Sequence, residues 1–499
     1  MQTFEQLSVK DGRVWQSHGT MKALSTESTP LKPAAAGVAA RTCSDPIFAV
    51  LFVVHLLGVG AIAAVDLPRL GSVKLPPPTR SSTTSTDVEA DDAWALAAAG
   101  LVPGLLVGAL ATALSLWLML RDAGAMFRAA FVASLVLLGV NAIALFASGA
   151  IGDVFGGIAL VFVLLIHVWF YCVVQRHLPF ALASLETAAA FVRRHPSSMA
   201  LGFASLVPLL LHAALVAPLL YVSAVDLSAA VEAYGDGGGG GAAAARQRAG
   251  ALQAKLAFLA FSLFWVWQLV ASLVHVSVAG AFAAWYFQGS RAVTPVRASV
   301  GRACTSSFGS VAFGSLLTAI IRFLRFAFSA DRRDAWDNCC VLLILECLEA
   351  LLRFFNKYAF CYVAIYGYPF CTAGREVVRL FEEKGLQTLI NDDLVLIALL
   401  FPLFAAFGLG ALCGGVAGWA VMSLEAGLVC AFISGLIAAF VADLTVVRTI
   451  DSCAATLFVC FAENPQALSI SAPDSFSLLS SAWSARFERL PVASVGVPF

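Results

Sequence analysis

The chain has 499 residues, of which 60% are hydrophobic and 12% are charged, and its formal net charge is zero. Its mean hydropathy of +0.86 lies far outside the range of soluble domains, so composition alone excludes an ordinary soluble protein. We predict an all-α, polytopic integral membrane protein.

The N-terminal segment differs in composition from the rest of the chain. Residues 1–44 contain both acidic and basic side chains and no apolar core of the right length for a cleaved signal peptide. We therefore predict a disordered cytosolic tail over residues 1–44, a transmembrane domain over 45–460 and a cytosolic C-terminal tail over 461–499.

Apolar runs long enough to cross a hydrocarbon core recur along the transmembrane domain, each needing about 20 helical residues. The sequence predicts ten spans, at 46–65, 94–120, 127–146, 152–174, 199–222, 252–281, 308–328, 339–362, 394–414 and 419–447. Lys and Arg concentrate in the N-terminal tail and in the loops that then lie on the same side. This bias predicts that both termini are cytosolic.

The connecting segments fall into two kinds. The outer loops 66–92 and 226–250 are rich in Pro, Ser, Thr, Gly or Ala and are predicted to be flexible linkers. No Lys-Ser or Lys-Thr follows the glycine run at 237–241, so a P-loop is not indicated. The inner segments 175–198 and 372–385 mix apolar and charged residues and are predicted to be amphipathic helices in the membrane interface. The two long outer loops lack cysteine, which argues against a disulfide scaffold.

The sixth span carries aromatic and polar side chains along one helical face, at intervals of four, three, four and three residues. These residues are Phe261, Trp265, Gln268, Ser272 and His275. Trp265 lies near the predicted mid-bilayer, whereas tryptophan prefers the headgroup region. It therefore requires either a packing partner or a bound ligand, and the sequence leaves both interpretations open.

The eighth span has a polar row along one face, at intervals of three, four and three residues. The polar row consists of Glu346, Glu349, Arg353 and Asn356, and Lys357 extends it inward. Glu349 and Arg353 are spaced and ordered as a favourable ion pair. Two interpretations follow: the pair fixes the register of the helix, or the row is functional, as intramembrane charges usually are.

The inner end of this span, FFNKYAFCYVAIYGYPFCTAGREVVRLF at 354–381, adds an Asn, a Lys and four tyrosines to an apolar stretch. The sequence leaves open whether the helix continues through Tyr362 or ends near Lys357. An irregular segment at this depth would have to be buried or line a cavity.

Four other charged residues lie near predicted span ends. Arg322 and Arg325, at the outer end of the seventh span, are interpreted as snorkelling side chains. Asp443 and Arg448, near the inner end of the tenth, are either an inner-gate pair or interfacial charges.

The chain contains no pattern that is typical of an enzyme. HExxH, GxSxG and clustered metal ligands are all missing from the sequence, so we predict no catalytic activity, no cofactor and no metal. His55 and His167 each stand alone on an apolar span and are interpreted as packed polar residues. We expect no nucleic-acid partner.

Several blocks of sequence resemble the choline transporter-like family. They are AGAFAAWYF at 279–287, FGSVAFGSLL at 308–317, FNKYAFCYVAIYG at 355–367, LINDD at 389–393 and VCFAENPQAL at 459–468. Several ordered blocks are far more specific than one motif, and the resemblance is nearest to the fungal and protist branch. It implies ten spans with cytosolic ends, and passage of choline or a related small amine across the plasma membrane or an organellar membrane.

A choline site needs aromatic faces, because a quaternary ammonium has no N–H group to donate, and each good cation–π contact contributes about 0.5–2 kcal/mol. From helix geometry we predict the substrate-binding residues Trp265, Gln268, Glu346, Glu349, Tyr362 and Tyr366. Trp265 and the two tyrosines would form walls, Gln268 would bind the hydroxyl, and a glutamate would attract the cation. Arg353, Asn356 and Lys357 would complete this polar seam as a gate.

Alternatives to choline transport remain open. Loop 66–92 is short and has no cysteine, unlike the large first outer loop of vertebrate family members, so the substrate is either choline or another amine or lipid precursor. A lipid-handling or structural membrane protein and an ion-conducting pore are the other candidates. For a carrier, an inward-negative potential supplies about 2.3 kcal/mol per charge per 100 mV, so facilitated transport by alternating access needs no coupled ion.

Overall fold

A computed structural model of the chain describes residues 8–10, 13–15, 44–72, 100–148, 151–174, 178–235, 241–330, 335–384, 387–421 and 424–487. The chain divides into two units, residues 1–37 and 38–499. In the first unit, β1 (Ser8–Lys10) pairs antiparallel with β2 (Arg13–Trp15), with Ser8 opposite Trp15. This hairpin lies within the range predicted as a disordered tail, whose other residues up to 43 lie outside the described part.

The elements of the second unit that the structure describes are all helices. Its first helices are α1 (Pro46–Asp66), α2 (Val102–Arg121), α3 (Ala123–Ser148), α4 (Ile151–Val174), α5 (Leu178–Arg194), α6 (Ser197–Ala204), α7 (Leu206–Gly235), α8 (Gly241–Gln288) and α9 (Pro295–Cys304). There follow α10 (Phe308–Ala330), α11 (Ala335–Tyr366), α12 (Phe370–Lys384), α13 (Gln387–Val421), α14 (Leu424–Ala442), a π-helix (Asp443–Val447), α15 (Arg448–Glu463), α16 (Pro465–Ser471) and α17 (Pro473–Phe487). The predicted all-α fold is confirmed.

Many of these helices have the length and composition of membrane spans. Within the described residues, seven segments qualify: Pro46–Leu70, Val102–Arg121, Ser197–Glu232, Ala244–Arg291, Phe308–Ser329, Leu403–Val421 and Gly427–Glu463. A shorter apolar helix covers Val154–Trp169. Large apolar side chains such as Leu110, Trp169 and Leu351 are at least 65% exposed, as in a protein surrounded by lipid. The chain is a polytopic integral membrane protein.

Each of the ten predicted spans overlaps a helix, although some boundaries differ. Residues 94–99 of the second span lie outside the described part, and its helix is α2. The tenth span continues past residue 447, through the π-helix and α15, to Glu463. The count of ten and the cytosolic placement of both termini stay predictions.

The core of the second unit surrounds α8, the 48-residue helix that contains the sixth span. This helix packs against α7, α9, α10, α11 and α15. Its inner half is the most buried part, where Val278, Phe282 and Tyr286 are fully enclosed. A separate group, α2, α13 and α14, packs closely through small residues; a Cβ built at Gly104 would lie 2.6 Å from Ser434. The residues predicted to form the site therefore lie on or beside the central helix.

The start of α12 is tied to the starts of two other helices. Helix α11 continues through Tyr366, which resolves the question of a break near Lys357, and it ends at Gly367 with φ of 72°. Asp45 accepts hydrogen bonds from the Ser310 hydroxyl (2.6 Å) and the Phe370 amide (2.8 Å). One carboxylate thus joins the starts of α1, α10 and α12.

Both predicted amphipathic helices are present. Helix α5 covers most of segment 175–198 and buries Leu185 and Phe191. Helix α12 covers most of 372–385, burying Val377 and Leu380 while Arg379 is exposed. Each has one apolar face against the rest of the protein, as its sequence pattern predicts.

Candidate functional site

An ion-pair network joins the middle of α8 to the halves of α10 and α11 that are outermost in the predicted orientation. The Arg322 guanidinium donates to Glu349 Oε1 at 2.9 Å and to Gln268 Oε1 at 3.0 Å. Arg325 Nε lies 3.2 Å from Glu349 Oε2, and Arg325 Nη1 lies 3.9 Å from Glu346 Oε1. Two arginines of α10 and two glutamates of α11 therefore balance one another, so this network carries no excess negative charge.

This network corrects two expectations from the sequence. Glu349 pairs with Arg322 and Arg325 across the helix interface; Arg353 is exposed and takes part in none of the ion pairs among the described residues. The two arginines are therefore bound to carboxylates, and the snorkelling interpretation is wrong. The reason is that Glu349 is buried and faces α10, where a guanidinium satisfies it better than an exposed residue of its own helix.

The polar row faces α10 rather than the aromatic face of the sixth span. Asn356 is buried, and its amide donates to the Gly314 carbonyl and the Thr318 hydroxyl, both at 2.9 Å. A Cβ at Gly314 would lie 2.6 Å from the ring of Phe360, so glycine permits this close approach. Glu346, at the outer end of the row, has a side chain that is 69% exposed.

Trp265 lies in an aromatic cluster with helix α1. Its ring is 5.2 Å from that of Phe52, 4.8 Å from His55 and 5.9 Å from Phe261. The side chain is buried, and within the described part of the chain its indole Nε1 has no hydrogen-bond partner. Trp265 thus has packing partners, while its one polar atom is left unsatisfied.

Two histidines that the sequence does not connect meet beside this tryptophan. The Ser262 hydroxyl lies 2.9 Å from His55 Nε2 and 3.0 Å from His212 Nε2. A hydroxyl has a single proton to donate, so at least one of the two rings donates to the serine oxygen. Periodicity within one span gives no signal for this contact, because it joins three helices.

About three quarters of the way along α8, polar side chains connect three helices. His275 contacts the Ser452 hydroxyl at 2.7 Å and the Lys357 carbonyl at 2.9 Å. Lys357 Nζ binds Asp451 Oδ1 at 2.6 Å. His275 is therefore a satisfied polar residue, and an ion pair joins α11 to α15 at its level.

A tyrosine cluster lies at the inner end of α11. The rings of Tyr362 and Tyr366 stack at 5.9 Å, and those of Tyr366 and Tyr368 at 5.3 Å. The Tyr366 hydroxyl donates a hydrogen bond to Glu463 of α15, and Tyr362 lies close to the same carboxylate. Burial, followed by the nearby Glu376 and Glu463, raises the pKa of Tyr368 in the turn after α11. We call Tyr362, Tyr366, Tyr368 and Glu463 the tyrosine cluster.

The predicted site residues therefore fall into two groups. Gln268 is beside Glu349, and His275 is beside Lys357, so α8 and α11 run in the same direction. Trp265 precedes His275 by ten residues, or about 15 Å at helical rise, and Tyr366 follows Lys357 by nine, or about 13 Å. In the predicted orientation, the outer group consists of Trp265, Gln268, Glu346 and Glu349. The inner group consists of Tyr362 and Tyr366.

The tenth span contains an irregularity beside these groups. Asp443 Oδ2 accepts from Arg448 Nε at 3.1 Å, across the π-helix. A spacing of five residues matches the i to i+5 repeat of a π-helix, which brings these two side chains together. Among all the residues that the structure describes, no three His, Cys, Asp or Glu side chains come close enough together to hold a metal ion.

Apolar helices of spanning length, joined by buried ion pairs and an aromatic cluster, are typical of a multi-pass membrane transporter. Residues 158–466 match the family model described as plasma-membrane choline transporter. Because this match covers more than half of the chain, the chain belongs to that family, which is a family of transporters.

Similar proteins occur in fungi and in a social amoeba. A CTL-like protein of Dictyostelium discoideum is 27% identical over 351 residues, which cover 67% of this chain and 58% of that protein. Protein PNS1 of Gibberella zeae is 35% identical over 156 residues, or 29% of each chain. Protein PNS1 of Cryptococcus neoformans is 28% identical over 359 residues, or 65% of this chain and 61% of the relative. The chain thus spans less than two thirds of the length of these relatives.

Proposed function

We propose that the protein carries choline or a related small amine across a membrane by alternating access, driven by the membrane potential. The plasma membrane fits the description of the family. The observation that supports a cationic substrate best is the tyrosine cluster, whose four residues all lie within the matched range 158–466.

The chemistry of the tyrosine cluster suits a quaternary ammonium. Stacked phenol rings offer electron-rich faces, and each good cation–π contact contributes about 0.5–2 kcal/mol. Glu463 supplies a carboxylate that accepts a hydrogen bond from the Tyr366 hydroxyl. Tyrosine hydroxyls can also bind the hydroxyl of choline. We therefore propose Tyr362, Tyr366 and Glu463 as the inner substrate site.

The outer group would act at an earlier stage of transport. In the structure, the Arg322 guanidinium donates hydrogen bonds to the side chains of both Gln268 and Glu349. An arriving cation would have to replace Arg322 there, with Trp265 and Glu346 nearby on the same helices. We propose that this exchange loosens the contact between α10 and α11 and opens the path inward.

Between the two stages lies the proposed gate. The ion pair of Lys357 with Asp451 joins α11 to α15, and Asn356 holds α11 to α10. A cation passing from the outer group to the tyrosine cluster would have to pass the Lys357 ammonium, which repels it. We propose that separation of these helices, with Arg353 at the exposed edge, admits the substrate.

Uptake of labelled choline into proteoliposomes tests this site. Tyr366→Ala removes a ring and should raise KM about tenfold, the value of one good cation–π contact. Tyr366→Phe retains the ring and should have a smaller effect, and Glu463→Gln should raise KM at least as much as Tyr366→Ala. Tyr221→Ala, which removes an exposed tyrosine of α7, is the matched control and should leave uptake unchanged.

Two results would distinguish the parts of the proposal. Saturable uptake with an unchanged KM in Tyr366→Ala and Glu463→Gln would contradict the inner site while leaving choline transport intact. A raised KM in Trp265→Ala under the same conditions would assign the binding step to the outer group instead.

A further inference from the structure

A cavity of about 620 Å³ opens on the predicted cytosolic side, between the start of α6 and the start of α9. Its lining includes Arg194, His195 and Ser197 from the α5–α6 junction and Thr294 and Arg297 from the start of α9. We call it the α6–α9 cavity. Its volume is in the range of small-molecule sites, and it lies apart from every residue assigned a role above.

The polar wall of this cavity favours an anion. Arg194 and Arg297 are both exposed, and none of the eleven described residues that line the cavity is acidic. Burial, and then the neighbouring Arg194, lower the pKa of His195. Its Nε2 has no hydrogen-bond partner within the described part of the chain. The His195 ring packs against that of Phe191 at 5.2 Å, so the two arginines supply the charge at this space.

Two helix ends add to this preference. Helices α6 and α9 both begin at the cavity, and neither has a side-chain cap on its first turn. The helix dipole attracts negative charge, most strongly where basic side chains are close. At α6 the Ser198 and Met199 amides already donate to the carbonyls of His195 and Pro196, so the contribution of α6 is that of its dipole. Thr294, the residue before α9, has φ of 45°, a strained conformation for a non-glycine residue.

The opposite wall of the cavity is apolar. It is formed by successive turns of α6 at Ala200, Leu201 and Ala204. Just beyond, Phe203 and Val207 are 49% and 57% exposed, as expected of side chains that face lipid tails. The cavity thus runs from a basic rim down to the level at which the hydrocarbon core begins.

We propose that the α6–α9 cavity binds an anionic phospholipid of the cytosolic leaflet, with its phosphate between Arg194 and Arg297 and an acyl chain along α6. Charge complementarity selects the phosphate, and the apolar wall selects a lipid over a soluble phosphate. Helix α6 packs against the π-helix, where a Cβ at Gly202 would lie 2.9 Å from the Thr445 Cα. A lipid seated here therefore contacts the helix that supports the irregular turn of the tenth span.

Native mass spectrometry of the full chain in neutral detergent tests this proposal. The probes are dioctanoyl phosphatidic acid, dioctanoylglycerol without the phosphate, and glycerol phosphate without the acyl chains. The phosphatidic acid should bind at least tenfold more tightly than either partial probe, because both walls contribute. The double variant Arg194→Ala with Arg297→Ala should weaken its binding about 30-fold, from about fivefold per basic side chain.

Two further variants complete the design. Arg375→Ala with Arg379→Ala removes two charges from α12 and should leave the affinity unchanged, since α12 does not line the cavity. Ala200→Phe fills the apolar wall from an exposed position and should weaken phosphatidic acid binding about tenfold. The Ala200→Phe variant tests lipid binding in the cavity even if the double arginine variant does not fold.

Several outcomes would overturn the proposal. Equal binding of glycerol phosphate would make this a site for a soluble phosphate, and equal binding of dioctanoylglycerol would make it merely apolar. An equal loss of affinity in the α12 double variant would show that binding depends only on the overall charge of the protein. Unchanged binding in Ala200→Phe would exclude an acyl chain along α6.

Discussion

Buried charge in this protein is balanced between helices rather than along one helix. Glu349 is held by Arg322 and Arg325 of α10, and Arg322 also reaches Gln268 of α8. One residue, Arg322, thus joins three helices. Removing one member of such a group leaves an uncompensated charge, which costs more than removing both members.

The first prediction concerns this coupling. Glu349→Ala should lower the free energy of unfolding by about 3–5 kcal/mol, because Arg322 is then left unpaired at membrane depth. Combining it with Arg322→Met should recover most of that loss. Denaturant unfolding in detergent micelles measures the free energy of unfolding of the single and the double variant.

Glu346→Ala is the control for this experiment, since its exposed contact with Arg325 should contribute about 0–1 kcal/mol. A double variant that is less stable than the sum of its two single variants would contradict the pairing.

At the scale of elements, helix ends are fixed by a few backbone positions. Gly367 ends α11 with φ of 72°, and its amide donates to the Val363 carbonyl at 2.9 Å. This left-handed residue turns the chain so that Phe370 reaches Asp45. A side chain at Gly367 would strain that turn.

The second prediction follows from this geometry. Gly367→Ala should destabilise the protein by about 1–2 kcal/mol, the cost of a left-handed conformation with a Cβ. Gly60→Ala, in α1 with open space around the new Cβ, is the matched control and should be neutral or slightly stabilising. Thermal unfolding gives the melting temperatures of the two variants. Equal melting temperatures would contradict the assigned turn at Gly367.

The third prediction concerns the packing of α6 on the π-helix. A Cβ at Gly202 would lie 2.9 Å from the Thr445 Cα, and backbone cannot move aside as a flexible side chain can. Gly202→Val should therefore cost about 1–3 kcal/mol of stability through overpacking. A variant as stable as the wild type by calorimetry would show that the two elements are not in close contact.

The elements could be predicted from the sequence more fully than the contacts between them. Apolar run length located a helix at every predicted span, and the family blocks identified the family. Periodicity placed Glu349, Asn356 and Gln268 on defined helical faces, but it contains no information about which helix faces them. Arg322 and the pair His55 and His212 were therefore misinterpreted or missed, because their partners are 27 to 207 residues away in sequence.

The whole molecule combines these contacts into two groups along α8 and α11. In the described state the outer group is closed by Arg322, and the ion pair of Lys357 with Asp451 separates it from the tyrosine cluster. Both barriers are ion pairs between helices, which rigid-body movement can break and remake. This arrangement fits a carrier better than a continuous pore, whose lining would need rings of charge or a hydrophobic gate.

A single positive charge makes the proposed transport voltage-dependent. An inside-negative potential of about 100 mV supplies about 2.3 kcal/mol per charge, enough to accumulate a cation about 50-fold without a coupled ion. Without a potential, the inner and outer concentrations should become equal.

The most direct test is choline accumulation in proteoliposomes that hold the wild-type protein, with the potential set by a potassium gradient and valinomycin. We expect saturable uptake that reaches a ratio of about 50 at about −100 mV and falls to one when the potential is removed. Uptake no greater than in protein-free vesicles, or a ratio that does not change with the potential, would contradict potential-driven choline transport.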